Sequence, residues 1–222
     1  MINLKKTDTP VWIEENKEKK TAEYVTAPEG KKPSPWRADE IITALKDESF
    51  NKCMYCEGII DDVSYSAVEH IKPKNKFQNL VLEWDNLGLA CSRCNTNKGS
   101  YWTDTVELQL LNPYADEVSD HLKFVGPLTV AHLHSTRGTN TLTKLKFGRR
   151  QDLLMSRMRR IEELQVRLTM WHDEVDPEKK EIFAEAVRDA VSTEQEFSAV
   201  LRSYAIEAGF HVQPLSTPET RG

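Results

Sequence analysis

Two pairs of cysteines constrain this chain more than any other feature of its sequence. Cys53 and Cys56 form one CxxC pair, Cys91 and Cys94 form a second, and 34 residues separate the two pairs. Each pair can place two thiolates around one Zn²⁺, and two pairs supply the four sulfur ligands of a closed structural site. A redox dithiol needs only one such pair, and an ordinary zinc ribbon separates its pairs by about 15–20 residues. The spacing therefore predicts a structural zinc site with an insertion between its two halves.

The composition favours a cytoplasmic location without membrane association. The 222 residues are 39% hydrophobic and 29% charged, with a formal net charge of −5. No apolar run approaches the roughly 20 residues that cross a bilayer. The Lys- and Glu-rich start of the chain also lacks the apolar stretch of a signal peptide. In a reducing compartment, paired cysteines are expected to bind metal and not to form disulfides.

The insertion between the cysteine pairs contains the residues best suited to chemistry. Glu69 and His70 are adjacent in a stretch that reads as a strand, Asn86 follows, and Asn95 comes directly after Cys94. Neighbouring side chains on a strand point to opposite faces. Glu69 and His70 can therefore lie in the same cleft only if the strand bends or twists there. Taken alone, a Glu-His pair is more often an ordinary surface pair. The residues by themselves leave both interpretations open.

These residues resemble the HNH nuclease family, also called ββα-metal or His-Me finger nucleases. The family pattern is an acid-His pair, a central Asn-Leu, and a final His or Asn directly after a cysteine, followed shortly by a Lys. Glu69-His70, Asn86-Leu87, Asn95 and Lys98 fill these places in order. Within residues 50–102, the motifs CxYCE, VEHIKPK, WxNL and ACSRCNxNK are similar to the HNH subunit of Septu-type antiphage systems, including those attached to retrons.

The resemblance implies a role for each of these residues. Glu69 and Asn95 are expected to bind a catalytic Mg²⁺ or Mn²⁺, since oxygen ligands suit these ions. His70 is expected to act as the general base that takes a proton from the attacking water. Asn86 is expected to hold the surrounding loop and orient His70. The chain departs from the commonest family form at Asn95, where His is usual, and the oxygen ligand favours Mg²⁺ or Mn²⁺ over softer ions.

Several basic residues are candidates for contacts with nucleic acid. Four lie around the motif and two lie in a strongly basic segment between residues 137 and 160: Lys72, Lys74, Arg93, Lys98, Arg149 and Arg150. Phosphate contacts require such groups, although a solvated rim of lysines is the alternative for each of them. The basic segment has two interpretations, a surface that contacts nucleic acid or one that meets an acidic partner.

The predicted fold is α+β, with a ββα-metal HNH core built on the four-cysteine zinc site. Residues 1–35 are expected to form an extended N-terminal arm that docks a partner, with Trp12 and Trp36 as anchors. Residues 36–112 are expected to contain the nuclease core, beginning with a short helix over 36–48. Residues 113–222 are expected to be mainly helical after short strands around residues 126–127.

The sequence therefore predicts an endonuclease that hydrolyses phosphodiester bonds, with DNA a more probable substrate than RNA such as tRNA. The Septu-like resemblance implies an antiphage role and an ATPase partner of the ABC or SMC-like class. One alternative is a non-catalytic zinc module that binds nucleic acid or protein, but such a module would not need Glu69, Asn86 and Asn95 together. The other is a free-standing restriction or homing enzyme, for which the chain shows no recognisable target-recognition domain.

Overall fold

Helices predominate, and short strands lie among them. The computed structural model describes residues 1–60 and 66–212. In chain order its elements are α1 (Val11–Thr26), α2 (Asp39–Glu48), β1 (Ser66–His70), β2 (Leu87–Cys91), α3 (Ser92–Lys98), β3 (Leu122–Val125), β4 (Leu128–Ala131), α4 (Thr136–Lys144), α5 (Gln151–Asp173), α6 (Pro177–Ala190) and α7 (Ser198–Glu207). This mixture confirms the predicted α+β class.

The strands β1 and β2 and the helix α3 form the predicted β-β-α unit. β1 and β2 are antiparallel, with Glu69 opposite Gly88 and His70 opposite Leu87. α3 begins at the residue after β2 ends. This order brings the end of β1, where Glu69 and His70 lie, against the helix that carries Asn95 and Lys98. The helix and the hairpin therefore share the candidate catalytic residues.

The first cysteine pair lies directly against β2. The backbone N–H of Met54 donates to Leu89 O at 2.8 Å, which fixes the segment between Cys53 and Cys56 beside the strand. Gly88 permits this close approach, because a Cβ atom at that position would lie 2.5 Å from Met54 Sδ. A side chain at residue 88 would therefore require the Met54 side chain to shift.

The N-terminal segment differs from the predicted extended arm. Residues 11–26 form the helix α1, and Ile13 and Tyr24 on this helix are buried. Trp36 is also buried, against Tyr24 and His70, so the prediction that Trp36 is an exposed anchor for a partner is wrong. Trp12 is half-buried and packs against the core. The segment is thus an integral part of the fold.

The sequence pattern of α1 explains why the helix was not predicted. Its inward face carries Ile13 and Tyr24, but the intervening positions on that face are occupied by Lys17 and Lys20. Both lysines are half-buried, and their ammonium groups pair with Glu83 and Glu23 at 2.5 Å and 2.9 Å. Long lysine stems can cover apolar surface while their charged ends reach polar partners. A helix packed in this way shows little apolar periodicity.

The C-terminal region is mainly helical, as its apolar spacing predicted. β3 and β4 form a hairpin around residues 126–127, where short strands were expected. α5 packs against α6 and α7 through buried leucines and an isoleucine. Asp176 caps α6 by accepting hydrogen bonds from the backbone N–H groups of Glu178 and Lys179. The predicted region extends to residue 222, and its last ten residues lie outside the described part of the chain.

One cluster of buried apolar residues connects the parts of the chain. It includes Met1 at one end, the segment around the cysteines, and Phe210 near the end of the described residues. The predicted division at residues 35 and 112 stays a prediction. Among the described residues, none of the helices combines the length and the apolar character that a membrane crossing requires.

The packing of α1 generates a stability prediction. Ile13 is 1% exposed and Val11, two residues earlier on the same helix, is 65% exposed. We expect Ile13→Ala to lower the free energy of unfolding by about 2–5 kcal/mol, because it removes a buried side chain and leaves a cavity. The matched control Val11→Ala should change it by less than about 0.5 kcal/mol. Urea unfolding followed by circular dichroism measures both, and equal stability of the two variants would show that α1 is not packed.

Candidate active site and metal centre

The four cysteines lie together, as their spacing predicted. Their sulfur atoms are all within 4.8 Å of one another, and Cys56 Sγ and Cys91 Sγ are 3.9 Å apart. Four sulfurs bound tetrahedrally at about 2.3 Å from one zinc ion would be about 3.8 Å apart. A disulfide would require about 2.05 Å, so none joins these two sulfurs. The donor set and its spacing fit a structural zinc ion bound by Cys53, Cys56, Cys91 and Cys94.

The surroundings of Cys91 favour a thiolate, whereas burial raises the pKa of the Cys53 thiol. Hydrogen bonds from Cys53 and the other two cysteines lower the pKa of the Cys91 thiol. Cys91 is the N-cap of α3, and its sulfur accepts a hydrogen bond from the backbone N–H of Cys94 at 3.4 Å. Arg150 Nη1 donates to Cys94 Sγ at 3.2 Å. Since four thiolates exceed the charge of one Zn²⁺, a buried guanidinium beside them offsets the excess negative charge.

This position of Arg150 corrects its predicted role. Arg150 is buried, and its guanidinium contacts Cys94 and Asp152. Its guanidinium therefore makes its hydrogen bonds at the cysteine cluster and is not a surface contact for nucleic acid. Arg157, one α5 residue that no motif singled out, is also buried and donates to Cys56 O at 3.4 Å. The basic character of this segment thus serves partly to stabilise the cysteine cluster.

His70 lies at the end of β1 and is almost fully covered. Its Nε2 atom is 3.1 Å from Val81 O. Because a carbonyl oxygen only accepts, Nε2 carries the hydrogen, and Nδ1 of the neutral ring holds the free electron pair. The ring of Trp36 meets the imidazole edge-on, with centroids 4.8 Å apart. Burial lowers the pKa of His70 to about 4, so the ring is neutral at neutral pH.

Glu69 is buried beside Lys98 of α3. Glu69 Oε1 is 2.6 Å from Lys98 Nζ, and the same ammonium donates to His70 O at 2.7 Å. The second carboxylate oxygen, Oε2, is buried and has no hydrogen-bond partner among the described residues. Burial raises the pKa of this carboxyl group, against the opposing effect of Lys98. A buried carboxylate oxygen without a partner is costly, and a metal ion would satisfy it.

Asn86 holds the loop that follows His70. Its Oδ1 accepts from the backbone N–H of Lys72 at 2.7 Å, and its Nδ2 donates to Lys72 O at 3.1 Å and to Leu80 O at 3.0 Å. The backbone of Asn86 also accepts from Ile71 N–H at 2.9 Å. Leu80 precedes Val81, the partner of His70. Asn86 therefore connects the two segments between which the imidazole is oriented.

The remaining predicted site residues differ in how far they are exposed to solvent. Asn95 is half-buried on α3, one residue after Cys94. Lys72 and Arg149 are exposed, and Lys74 is half-buried over the ring of Trp36. Arg93 is exposed and pairs with Asp152 at 2.7 Å. Lys98 is buried against Glu69, so the prediction that it is a surface contact for phosphates is wrong in this arrangement.

Three further residues contribute to the site without a signal in the sequence that assigns them to it. Trp36 covers His70 from 34 positions earlier in the chain, and Val81 supplies a backbone carbonyl, which no side-chain pattern reveals. Trp102 lines a small cavity together with Ile71 and Lys98. Only their position in the folded chain brings these groups to the candidate active site.

Comparisons with known proteins agree with this geometry. A family model described as HNH endonuclease matches residues 53–101. The chain is 38% identical to the Septu protein PtuB of Bacillus thuringiensis, over 55% of this chain and 46% of that protein. It is 33% identical to the Septu protein PtuB of Bacillus mycoides (strain KBAB4), over 39% of each. The chain thus spans less than half the length of these curated relatives. Residues 53–101 thus match the HNH endonuclease family, and the resemblance to Septu proteins is confirmed.

The cysteine cluster generates a prediction of metal content. We expect one tightly bound Zn²⁺ per purified chain, measured by elemental analysis. Cys91→Ser should lower the zinc content and the unfolding temperature, because zinc binding supplies on the order of 10 kcal/mol in small zinc domains. The neighbouring Ser92 is exposed, so Ser92→Ala should change neither quantity. A zinc-free parent protein, or a Cys91→Ser variant as stable as the parent, would contradict the assignment.

Proposed function

We propose that this chain is a metal-dependent endonuclease that hydrolyses phosphodiester bonds of DNA. The observation that carries the proposal is the pairing of Glu69 with Lys98 at the end of β1, which leaves Glu69 Oε2 buried and without a hydrogen-bond partner among the described residues. An HNH endonuclease domain spans this arrangement. Glu69 and His70 are neighbours in β1, and a buried carboxylate oxygen that lacks a partner among the described residues, with a neutral buried imidazole on the adjacent residue, fits a catalytic centre better than a purely structural one.

In the proposed mechanism, His70 is the general base. Its Nε2–H is held by Val81 O, which directs Nδ1 toward the role of proton acceptor. Because the pKa of the buried imidazole lies at about 4, the ring enters the reaction uncharged at neutral pH. Nδ1 would remove a proton from a water molecule as that water attacks phosphorus.

Glu69 and Asn95 are the proposed ligands of Mg²⁺ or Mn²⁺. Both present oxygen atoms, which suit these ions. When bound, the cation would polarise the phosphate and stabilise the leaving oxygen. Glu69 would bind it through Oε2, because Oε1 already pairs with Lys98. Asn86 is proposed as a positioning residue, since its three side-chain hydrogen bonds hold the backbone on both sides of the His70 site.

Substitutions should separate the base from the metal ligands. We expect His70→Ala to reduce cleavage of plasmid DNA by about 10²- to 10⁴-fold, with little change in the Mn²⁺ concentration that gives half-maximal activity. Glu69→Gln keeps an acceptor for Lys98 but weakens metal binding, so its activity should recover partly at high Mn²⁺. Asn95→Ala should behave in the same way. Initial rates measured across a Mn²⁺ series report both effects.

The control for these variants is His172→Ala, which removes an exposed imidazole on α5 and should cleave as the parent does. Single-stranded DNA and tRNA are tested beside the plasmid to compare substrates. If His70→Ala cleaves normally, or if Mn²⁺ restores it as fully as Glu69→Gln, the assigned roles are wrong. Cleavage of tRNA alone would contradict the proposed DNA substrate.

We further propose that the nuclease acts in antiphage defence with an ATPase of the ABC or SMC-like class. The similarity to Septu proteins supports this role. The structure adds a physical reason for a partner: His70 is 4% exposed and meets the ring of Trp36, so a substrate reaches the imidazole only after groups that cover it move. An ATPase that binds residues 1–35 could supply that movement. The isolated chain is then expected to be a weak nuclease.

Co-purification with the ATPase tests this partnership. Deleting residues 1–35 is unsuitable, because Ile13, Tyr24 and other residues of that segment belong to the core. Instead, Val11→Asp alters an exposed position of α1 and should reduce the recovered ATPase by about tenfold, the effect of one interface hot spot. Ile206→Asp on α7, which is similarly exposed, is the matched control and should recover it fully. If both variants recover the same amount of ATPase, the ATPase does not dock through α1. If the isolated chain cleaves DNA vigorously, the nuclease does not need a partner.

A further inference from the structure

A pair of half-exposed aromatic rings lies beside the candidate active site. Phe77 and Trp102 meet edge-to-face, with centroids 5.6 Å apart and planes at 80°. The ammonium of Lys72 lies 5.4 Å from the Trp102 ring centroid and 5.9 Å from that of Phe77. The indole N–H donates to Asp104 at 3.2 Å, which orients the ring. These three residues, Phe77, Trp102 and Lys72, are called the aromatic-lysine surface below.

Two contacts connect this surface to the catalytic residues. The backbone of Lys72 is bound on both sides by the side chain of Asn86, and Lys72 follows His70 by two positions. Trp102 lines the same small cavity as Ile71 and Lys98, and Lys98 pairs with Glu69. The rings are therefore placed to contact a strand that is bound at the candidate active site.

The same combination of groups continues at the neighbouring residue. Tyr101 is half-exposed, and Lys144 Nζ lies 4.2 Å from its ring centroid. The Tyr101 hydroxyl donates to Leu108 O and accepts from Asn140, which fixes this ring as well. Consecutive aromatic rings, each accompanied by a lysine, provide stacking faces for bases and positive charge for the phosphates between them.

A second aromatic pair has the same geometry but belongs to the packed interior, and it serves as a comparison. Trp171 and Phe210 have centroids 4.9 Å apart at 80°, with Lys180 Nζ 5.3 Å from the indole centroid. Phe210, however, is 5% exposed and belongs to the core. Phe77 and Trp102 are both half-exposed, although burial of aromatic rings in the core is favourable. The exposure of both rings is what packing alone does not explain.

We propose that the aromatic-lysine surface binds unpaired bases of single-stranded DNA, so that the substrate of this nuclease is a single strand or a locally opened duplex. The inference rests on the proposed nuclease function and specifies its substrate. An intact duplex hides the faces of its bases, so Phe77 and Trp102 would add affinity only for unpaired nucleotides. Lys72 contacts phosphates, which are present in both forms, so it would contribute to both.

The test measures binding of a fluorescein-labelled 15-nucleotide DNA strand and of its duplex by anisotropy, without added Mg²⁺ or Mn²⁺. Removal of one stacking ring should weaken single-strand binding about tenfold. We therefore expect Trp102→Ala to raise the dissociation constant for the single strand by that factor and that for the duplex by less than twofold. Trp102→Phe should retain most of the affinity. Lys72→Ala should weaken both forms and reduce the salt dependence of each.

The matched control is Trp171→Ala, which removes an indole of the same geometry far along α5 and should leave both dissociation constants unchanged. Circular dichroism confirms that each variant is folded, and Trp102→Leu, which keeps an apolar side chain but removes the stacking face, replaces Trp102→Ala if that variant is unfolded and should weaken single-strand binding in the same way. Equal weakening of single strand and duplex, or no weakening, overturns the proposal. Dependence on Trp102 for a single-stranded RNA of the same sequence, but not for the DNA, overturns it as well.

Failure of this inference is distinguishable from failure of the proposed function. Plasmid cleavage by the parent and by His70→Ala is measured on the same preparations. Cleavage that depends on His70, with DNA binding that does not depend on Trp102, removes the stacking surface and leaves the nuclease. Binding of single-stranded DNA that depends on Trp102, without cleavage of any substrate, removes the nuclease and leaves a single-strand binding surface.

Discussion

The four sulfur atoms are the constraint on which the arrangement of the site depends. They join the segment after α2, the end of β2 and the first turn of α3, and Arg150 connects them to the start of α5. Strands of five residues have little stability by themselves. Holding β2 and α3 at the metal centre therefore fixes the helix that carries Lys98 and Asn95 against the end of β1. The candidate catalytic residues are not part of the cysteine cluster, but their positions depend on it.

Buried charges are the second feature that shapes the molecule, and each is matched by partners from a distant part of the chain. Glu57, next to Cys56, contacts the amino group of Met1 and accepts from Ser198 and from Ala199 N–H of α7. Lys52 is buried and donates to Thr193 O, Gln195 O and Ser198 Oγ. Leaving such a charge unpaired would cost several kcal/mol. These contacts hold the C-terminal helices against the cysteine segment, whereas one oxygen of Glu69 has no hydrogen-bond partner in the part of the chain that the structure describes.

The N-terminal segment and the catalytic base are physically coupled. Tyr24 packs on Trp36, Trp36 packs on His70, and Lys74 Nζ lies 5.2 Å from the Trp36 ring centroid. Movement of α1 would therefore be transmitted to His70 through Trp36. The aromatic-lysine surface is made of other residues, Phe77, Trp102 and Lys72. The rings that contact His70 and the rings proposed to bind a strand are thus separate groups of aromatic residues.

The cysteine cluster and the β-β-α order could be predicted from the sequence, and so could the choice of candidate catalytic residues, because all three depend on local spacing around CxxC and Glu69-His70. The sequence also predicted most C-terminal helices, whose apolar periodicity is strong. It did not reveal α1, where lysine stems replace apolar residues on the buried face. Only the tertiary structure decided that Arg150 and Lys98 are buried partners of Cys94 and Glu69, and that Trp36 covers His70. A sequence does not show whether a charged or aromatic side chain will be exposed to solvent or buried against another residue. Contacts between residues far apart in the chain decide which of the two occurs.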